Sequence, residues 1–158
     1  MLSVNLEVSD PARALKITPN KARKLGRQHY LDYIEVAVEA FGVGFVQSLM
    51  VFGDDVEPLE STLRGVRDLV ERGCLLVLSP FRPDPNTPMA KRGARPPSVD
   101  DMKRAWEGTL AVCATVGGPI KPGPRCIPCH HNTLTFPDGS NFYVGLGGDL
   151  TARDLVGA

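Results

Sequence analysis

The chain reads as an α/β protein built on parallel strands, and three observations lead there. Short apolar runs alternate with segments of helical periodicity three times over. The run Leu75 to Leu78 is apolar at consecutive positions, as suits a strand buried on both faces. It then breaks into Ser79-Pro80, followed by Arg82 and the spaced prolines Pro83, Pro85 and Pro88. A buried strand ending in a stiff polar loop places side chains at the carboxyl edge of a parallel sheet, where α/β folds bind ligands. The same prolines also fit the plainer task of ending the strand and routing the chain onward.

The elements follow in order. Leu2 to Val8 is a mostly apolar strand carrying Asn5 and Glu7 two residues apart, hence on one face. Ser9-Asp10-Pro11 stops it. Leu25 to Phe41 is a helix, because Leu31, Ile34, Val38 and Phe41 recur at steps of three and four and Gly42 and Gly44 end it. Phe45 to Phe52 is a second strand with Gln47 and Ser48 embedded, closed by a Gly53-Asp54-Asp55 turn. Pro58 suits the first turn of a helix whose stripe is Leu59, Leu63, Val66 and Val70, with Gly73 at its stop. After the third strand, Arg82 to Pro97 has no periodicity and reads as a loop. Ser98 with Asp101 forms a capping box for a third helix striped by Met102, Trp106, Leu110 and Cys113.

That order predicts a parallel sheet with right-handed crossovers over residues 1–116. Residues 117–158 form an irregular Gly/Pro-rich tail, with a short strand or hairpin near Leu134 or Phe142. Three strands are few, so the chain is either a small open domain or a partial (β/α) barrel, a half TIM barrel. A strand starting at the second residue favours a barrel completed by another chain.

At 158 residues the chain is expected to form one domain. Eighteen basic residues balance 18 acidic ones, so bulk charge gives no argument for nucleic acid or a membrane surface. Local basic clusters occur at Lys16 to Arg27 and Lys91 to Arg95; each is either a solvated face or a seat for a carboxylate or phosphate. No run is long enough for a membrane span and no signal-peptide layout opens the chain, so a cytoplasmic, reducing setting is expected. Its four cysteines are then free, metal-bound or catalytic rather than disulfide-bonded.

The sharpest local motif is Cys126-Ile127-Pro128-Cys129-His130-His131. Two thiolates three apart grip one soft metal or cluster, and His130 or His131 adds a nitrogen ligand. It is half a zinc site, and no second such pair exists, so a redox or inert pair is the other reading. Cys74 and Cys113 join it only if the fold brings them close. Asn5 and Glu7 form a second constellation, either facing water at an edge or lining a site. Arg27 and Arg82 form a third, since arginine holds a carboxylate bidentately, with solvation the alternative.

The succession NLE at a strand, an Arg-bearing helix start, VQSLMVFGDD and LLVLSPFRPDPNTPM resembles the second half of radical S-adenosylmethionine enzymes. The branch it resembles is that of biotin synthase and its hydrogenase-maturase relatives, over residues 2–89. The resemblance implies cofactor contacts from Asn5, Glu7, Arg27, Ser48 and Gly53. Glu7 would lie near S-adenosylmethionine and Arg27 on its methionine carboxylate, while Ser79 and Arg82 would face a small-molecule substrate. The CxxxCxxC loop that binds the family's iron–sulfur cluster is absent, so the chain alone is expected not to cleave the cofactor. It would need an N-terminal half-barrel partner, or would self-associate. The alternative is a small metal-binding or scaffold protein whose ligands are Cys126, Cys129 and His130.

Overall fold

Burial along the central strand alternates residue by residue. Val46, Ser48, Met50 and Phe52 are buried, while Gln47, Leu49 and Val51 between them are half-buried. This is the mark of a strand with one face pressed into a core. The computed structural model describes residues 2–116, so the CPCHH segment and the expected tail hairpin lie outside the described residues. Its elements are β1 (Leu2–Ser3), α1 (Pro11–Ile17), α2 (Pro19–Lys24), α3 (Gly26–Phe41), β2 (Val46–Phe52), α4 (Leu59–Glu71), β3 (Leu75–Pro80), α5 (Pro88–Lys91) and α6 (Val99–Val116). The strands are parallel in the order β1-β2-β3, with Ser48 beside Leu76 and Met50 beside Leu78. The described residues are therefore an α/β fold with a three-stranded parallel sheet.

One main core joins the helices to the sheet. Leu31 and Ile34 of α3, Met50 and Phe52 of β2, Val66 and Leu69 of α4, Leu76 and Leu78 of β3, and Ala105 of α6 belong to a single buried cluster. Both crossover helices thus cover the same sheet face, and α6 packs outside against α4. The helix pair meets closely at Gly108, where a Cβ would lie 2.7 Å from Leu63 Cδ1. A second, smaller cluster of Val8, Ala14 and Val56, with Val51, Phe81 and Met89 against it, sits at the carboxyl ends of the strands.

Three sequence-based expectations need adjustment. The first strand pairs regularly only over Leu2–Ser3, and pairing resumes as a single bridge between Glu7 and Met50. Between them, side chains take over the ladder: Ser48 Oγ accepts the Leu6 N–H at 3.0 Å, and Asn5 Oδ1 accepts the Leu49 N–H at 3.2 Å. Next, the stretch after Asp10 is helical rather than a bare strand stop. Asp10 caps α1, its Oδ1 accepting the Arg13 N–H at 2.8 Å, and Pro11 and Pro19 open α1 and α2 at positions where a missing N–H costs nothing. Finally, Arg82 to Pro97 contains the one-turn helix α5, capped by Thr87. The expected capping box of α6 is present: Ser98 N–H donates to Asp101 Oδ2 at 3.0 Å and Asp101 N–H to Ser98 Oγ at 3.1 Å.

Candidate ligand-binding cleft

Glu7 has φ +67°, and among the described residues it is the one non-glycine residue with positive φ. The Val8 N–H donates to the Leu6 carbonyl at 2.9 Å across it, which makes Glu7 the central residue of a γ-turn of the strained hand. Neighbouring backbone holds this turn in place. Glu7 N–H donates to Leu49 O and Val51 N–H donates to Glu7 O, both at 2.8 Å, so the sheet ladder passes through the strained residue. The turn aims the carboxylate away from the helix-covered core and out at the open edge of the sheet.

What faces it is Lys21 of α2. Its Nζ lies 3.4 Å from Glu7 Oε1, donates to the Asn5 carbonyl, and sits 4.5 Å over the centre of the Tyr30 ring. Side chains of Asn5, Glu7, Lys21, Tyr30, Tyr33 and Leu25 wall a cleft of about 490 Å³ between the edge of β1 and α3, with His29 on its rim. Acceptors, an ammonium and two phenol rings converge there. A carboxylate and an ammonium side by side complement the two charges of an amino-acid head group, and the rings offer flat apolar surface to a base or other planar group.

The predicted site residues fall into three groups. Asn5 and Glu7 both line the cleft, although the shared face expected of a regular strand is replaced at Glu7 by the γ-turn. Arg27 lies beyond Lys21 and Tyr30, lining a separate hollow of about 20 Å³ with Leu6 and Val8. Its guanidinium is ion-paired with Asp68 of α4, which also faces Arg72 at 3.9 Å, and its Nε is 3.4 Å from Ser9 Oγ. Ser48 is fully buried on the helix-covered face, serving Leu6 as an acceptor. Gly53 is buried at the end of β2 with φ +142°, where a Cβ would lie 3.3 Å from Phe81 Cβ and 3.4 Å from Pro97 Cδ. Ser79 is buried at the end of β3 and Arg82 is exposed just after it. Neither lines the cleft, since both stand two strands across the sheet from β1.

Two important side chains carried no local signal. Lys21 looked like one more member of a basic cluster. Glu57 precedes a proline in a turn, yet its side chain is fully buried. Its carboxylate accepts the Ser9 N–H at 2.8 Å, the Asp10 N–H at 2.7 Å and the Ser61 hydroxyl at 2.7 Å. Charge-assisted bonds of this kind fix the turn after β1, and with it the start of α1, to the first turn of α4. Glu57 is itself positioned by its N–H, which donates to the Gly53 carbonyl at 2.8 Å.

Metal chemistry finds no seat among the described residues, which contain no group of three His, Cys, Asp or Glu able to hold an ion. Cys74 and Cys113 are both buried and free. Burial pushes the Cys74 thiol up to about 12 and raises that of Cys113, the opposite of what a thiolate ligand requires. Cys126, Cys129 and His130 lie outside the described residues. Among the described residues no helix is long and apolar enough to cross a membrane. No family model, curated protein or solved structure matches the chain.

Proposed function

We propose that this chain is one half of a (β/α) barrel of the radical S-adenosylmethionine type, working in the cytoplasm and holding the cofactor and a small substrate for chemistry that another half-barrel completes. The observation that carries the reading is the strained Glu7. A non-glycine residue in that conformation costs about 1 kcal/mol or more, and such strain concentrates where a side chain must be aimed. Here it turns a carboxylate toward a cleft that also presents a cation and aromatic rings.

S-adenosylmethionine fits the chemistry of these groups. Glu7 and the Asn5 side chain would receive its ammonium group or ribose hydroxyls, Lys21 its carboxylate, and Tyr30 and Tyr33 its adenine ring. Lys21, beside Glu7, takes the carboxylate role that the resemblance gives to Arg27, whose guanidinium is engaged by Asp68. Bound there, the cofactor supplies the reactive sulfonium, and the chain's own work is binding, orientation and exclusion of water. The iron–sulfur cluster does not fit the described residues: their two cysteines are buried thiols, and the sequence has no CxxxCxxC loop. No step of radical formation is therefore assigned to this chain, and with a chemical reductant alone it should release no 5′-deoxyadenosine.

Isothermal titration with S-adenosylmethionine tests the reading. Saturable binding that Glu7→Gln and Lys21→Gln each weaken about tenfold, with the fold unchanged by circular dichroism, supports it. Absence of binding, or binding indifferent to both substitutions, refutes it.

A further inference from the structure

A helix on the surface of a soluble domain carries one apolar face. In α4 the buried residues Val66, Leu69 and Val70 keep to that rule, with Arg64, Arg67 and Glu71 exposed opposite them. In α3 they do not. Leu31, Ile34 and Ala37 are buried against the sheet. On the opposite side Tyr33 and Val36 are 50% and 60% exposed, and Leu25, just before the helix, is 49% exposed. At about 100° per residue Leu25, His29, Tyr33 and Val36 fall within an arc of roughly 80°, so they form one continuous stripe. The stripe also forms the outer rim of the Glu7 cleft, which it shares through Leu25, His29 and Tyr33.

The charges beside the stripe are segregated. From Pro11 to Leu31 the sequence holds six Lys or Arg and no acidic residue; from Gln28 to Leu63 it holds no Lys or Arg. The α2–α3 edge is thus basic at the N-terminal end, with Arg23, Lys24 and Arg27, and acidic toward the C-terminal end, with Asp32, Glu35 and Glu39. That polarity opposes the helix macrodipole, which favours acids at the start and bases at the end. Arg27 and Glu35 find partners on α4 and at Arg72. Arg23, Lys24 and Glu39 are exposed and make no ion pair among the described residues.

The geometry points to a homodimer in which α3 of one chain packs antiparallel on α3 of a second copy, about a two-fold axis between His29 and Tyr33. Such a pairing covers both apolar stripes at once, as an isologous interface does. It sets the Arg23–Lys24 end of each copy beside Glu39 of the other and opposes the two macrodipoles. It also walls the open side of each cleft with the second chain. This last consequence rests on the ligand reading above; the dimer itself does not, because its mass is measured without ligand.

Sedimentation equilibrium of the full ligand-free chain is the test. At roughly 100 μM, well above the micromolar Kd that a small specific interface supports, a dimer mass is expected. Val36→Glu changes an exposed position outside the cleft and should give a monomer with unchanged circular dichroism. Lys24→Glu and Glu39→Lys should each weaken dimerisation about fivefold, and the double variant should recover it. A monomeric wild type overturns the inference, as does a Val36→Glu chain that dimerises normally. A double variant no tighter than the single ones also overturns it, and this arm stands even if Val36→Glu misfolds. A dimer that binds no S-adenosylmethionine keeps the interface and removes the ligand.

Discussion

Lys21 stands 3.4 Å from the Glu7 carboxylate and at the same time caps the carbonyl of Asn5, two residues earlier on the open sheet edge. One ammonium thus neutralises the strained residue and occupies an acceptor that an exposed strand edge would otherwise offer to another chain. Both side chains remain partly exposed, so the pair itself contributes only a few tenths of a kcal/mol. Its value lies in placing two opposite charges at fixed points in one cleft.

If Glu7 is held under strain, removing the cause should stabilise the fold. Glu7→Gly, free to adopt φ +67°, should raise the unfolding free energy by about 1 kcal/mol, less the small ion-pair term. Glu7→Ala keeps the strain and should give no gain. Urea denaturation of the two variants decides this; equal stabilities would remove strain from the account.

Glu57 should be the most sensitive acidic position among the described residues. Truncating it to alanine leaves the Ser9 and Asp10 amides and the Ser61 hydroxyl without their buried acceptor. The expected cost is about 3 kcal/mol, with the turn after β1 losing amide-exchange protection first. Denaturant unfolding with hydrogen exchange reads both, and a loss below about 1 kcal/mol would contradict the role given to this carboxylate.

Gly65 is predicted to reverse the usual helix preference. Alanine in a helix interior normally gains about 1 kcal/mol over glycine. Here its Cβ would lie 2.5 Å from Ser9 Cβ and 2.6 Å from Met50 Cε, in the packed seam between α4, β2 and the turn after β1. Gly65→Ala should therefore destabilise by roughly 2 kcal/mol. A thermal melt that shows a rise in Tm would mean that the seam is looser than described.

Acid should loosen α6 from its start. Hydrogen bonds from Ser98 and Arg104 hold the Asp101 carboxyl down to about 2. Because the folded value lies below the usual carboxylate range, the cap contributes fully above about pH 4 and is lost as the pH falls toward 2. The group is largely at the surface, so the loss is that of an ordinary cap, about 1 kcal/mol. Asp101→Asn should flatten the stability profile across that window; an unchanged slope would show that other carboxylates carry it.

Much of this architecture is readable from periodicity. The buried runs of β2 and β3 and most of the stripes of α3, α4 and α6 follow apolar spacing, and the Ser98–Asp101 box marks the start of α6. Phe41 and Leu110, expected on the stripes of α3 and α6, are instead exposed where each stripe runs off the packed side. What escaped is tertiary or side-chain in origin. β1 is broken because Asn5 and Ser48 replace backbone partners, which no local pattern encodes. α1 and α2 are short and polar, so they lack a stripe, and Asp10-Pro11 reads in sequence as a strand stop although Asp10 caps α1. Asn5 and Glu7 were visible as an odd polar pair in an apolar strand. Lys21 and Glu57 were not, since contacts 14 and 48 residues away in sequence give them their roles.

If the Glu7 cleft receives S-adenosylmethionine, calorimetric titration of the purified chain with that molecule will detect it. One saturable site per chain is expected, weakened about tenfold by Glu7→Gln and untouched by a change at the exposed Asp84, which does not line the cleft. No heat of binding, or equal affinity in the Glu7→Gln protein, would contradict it.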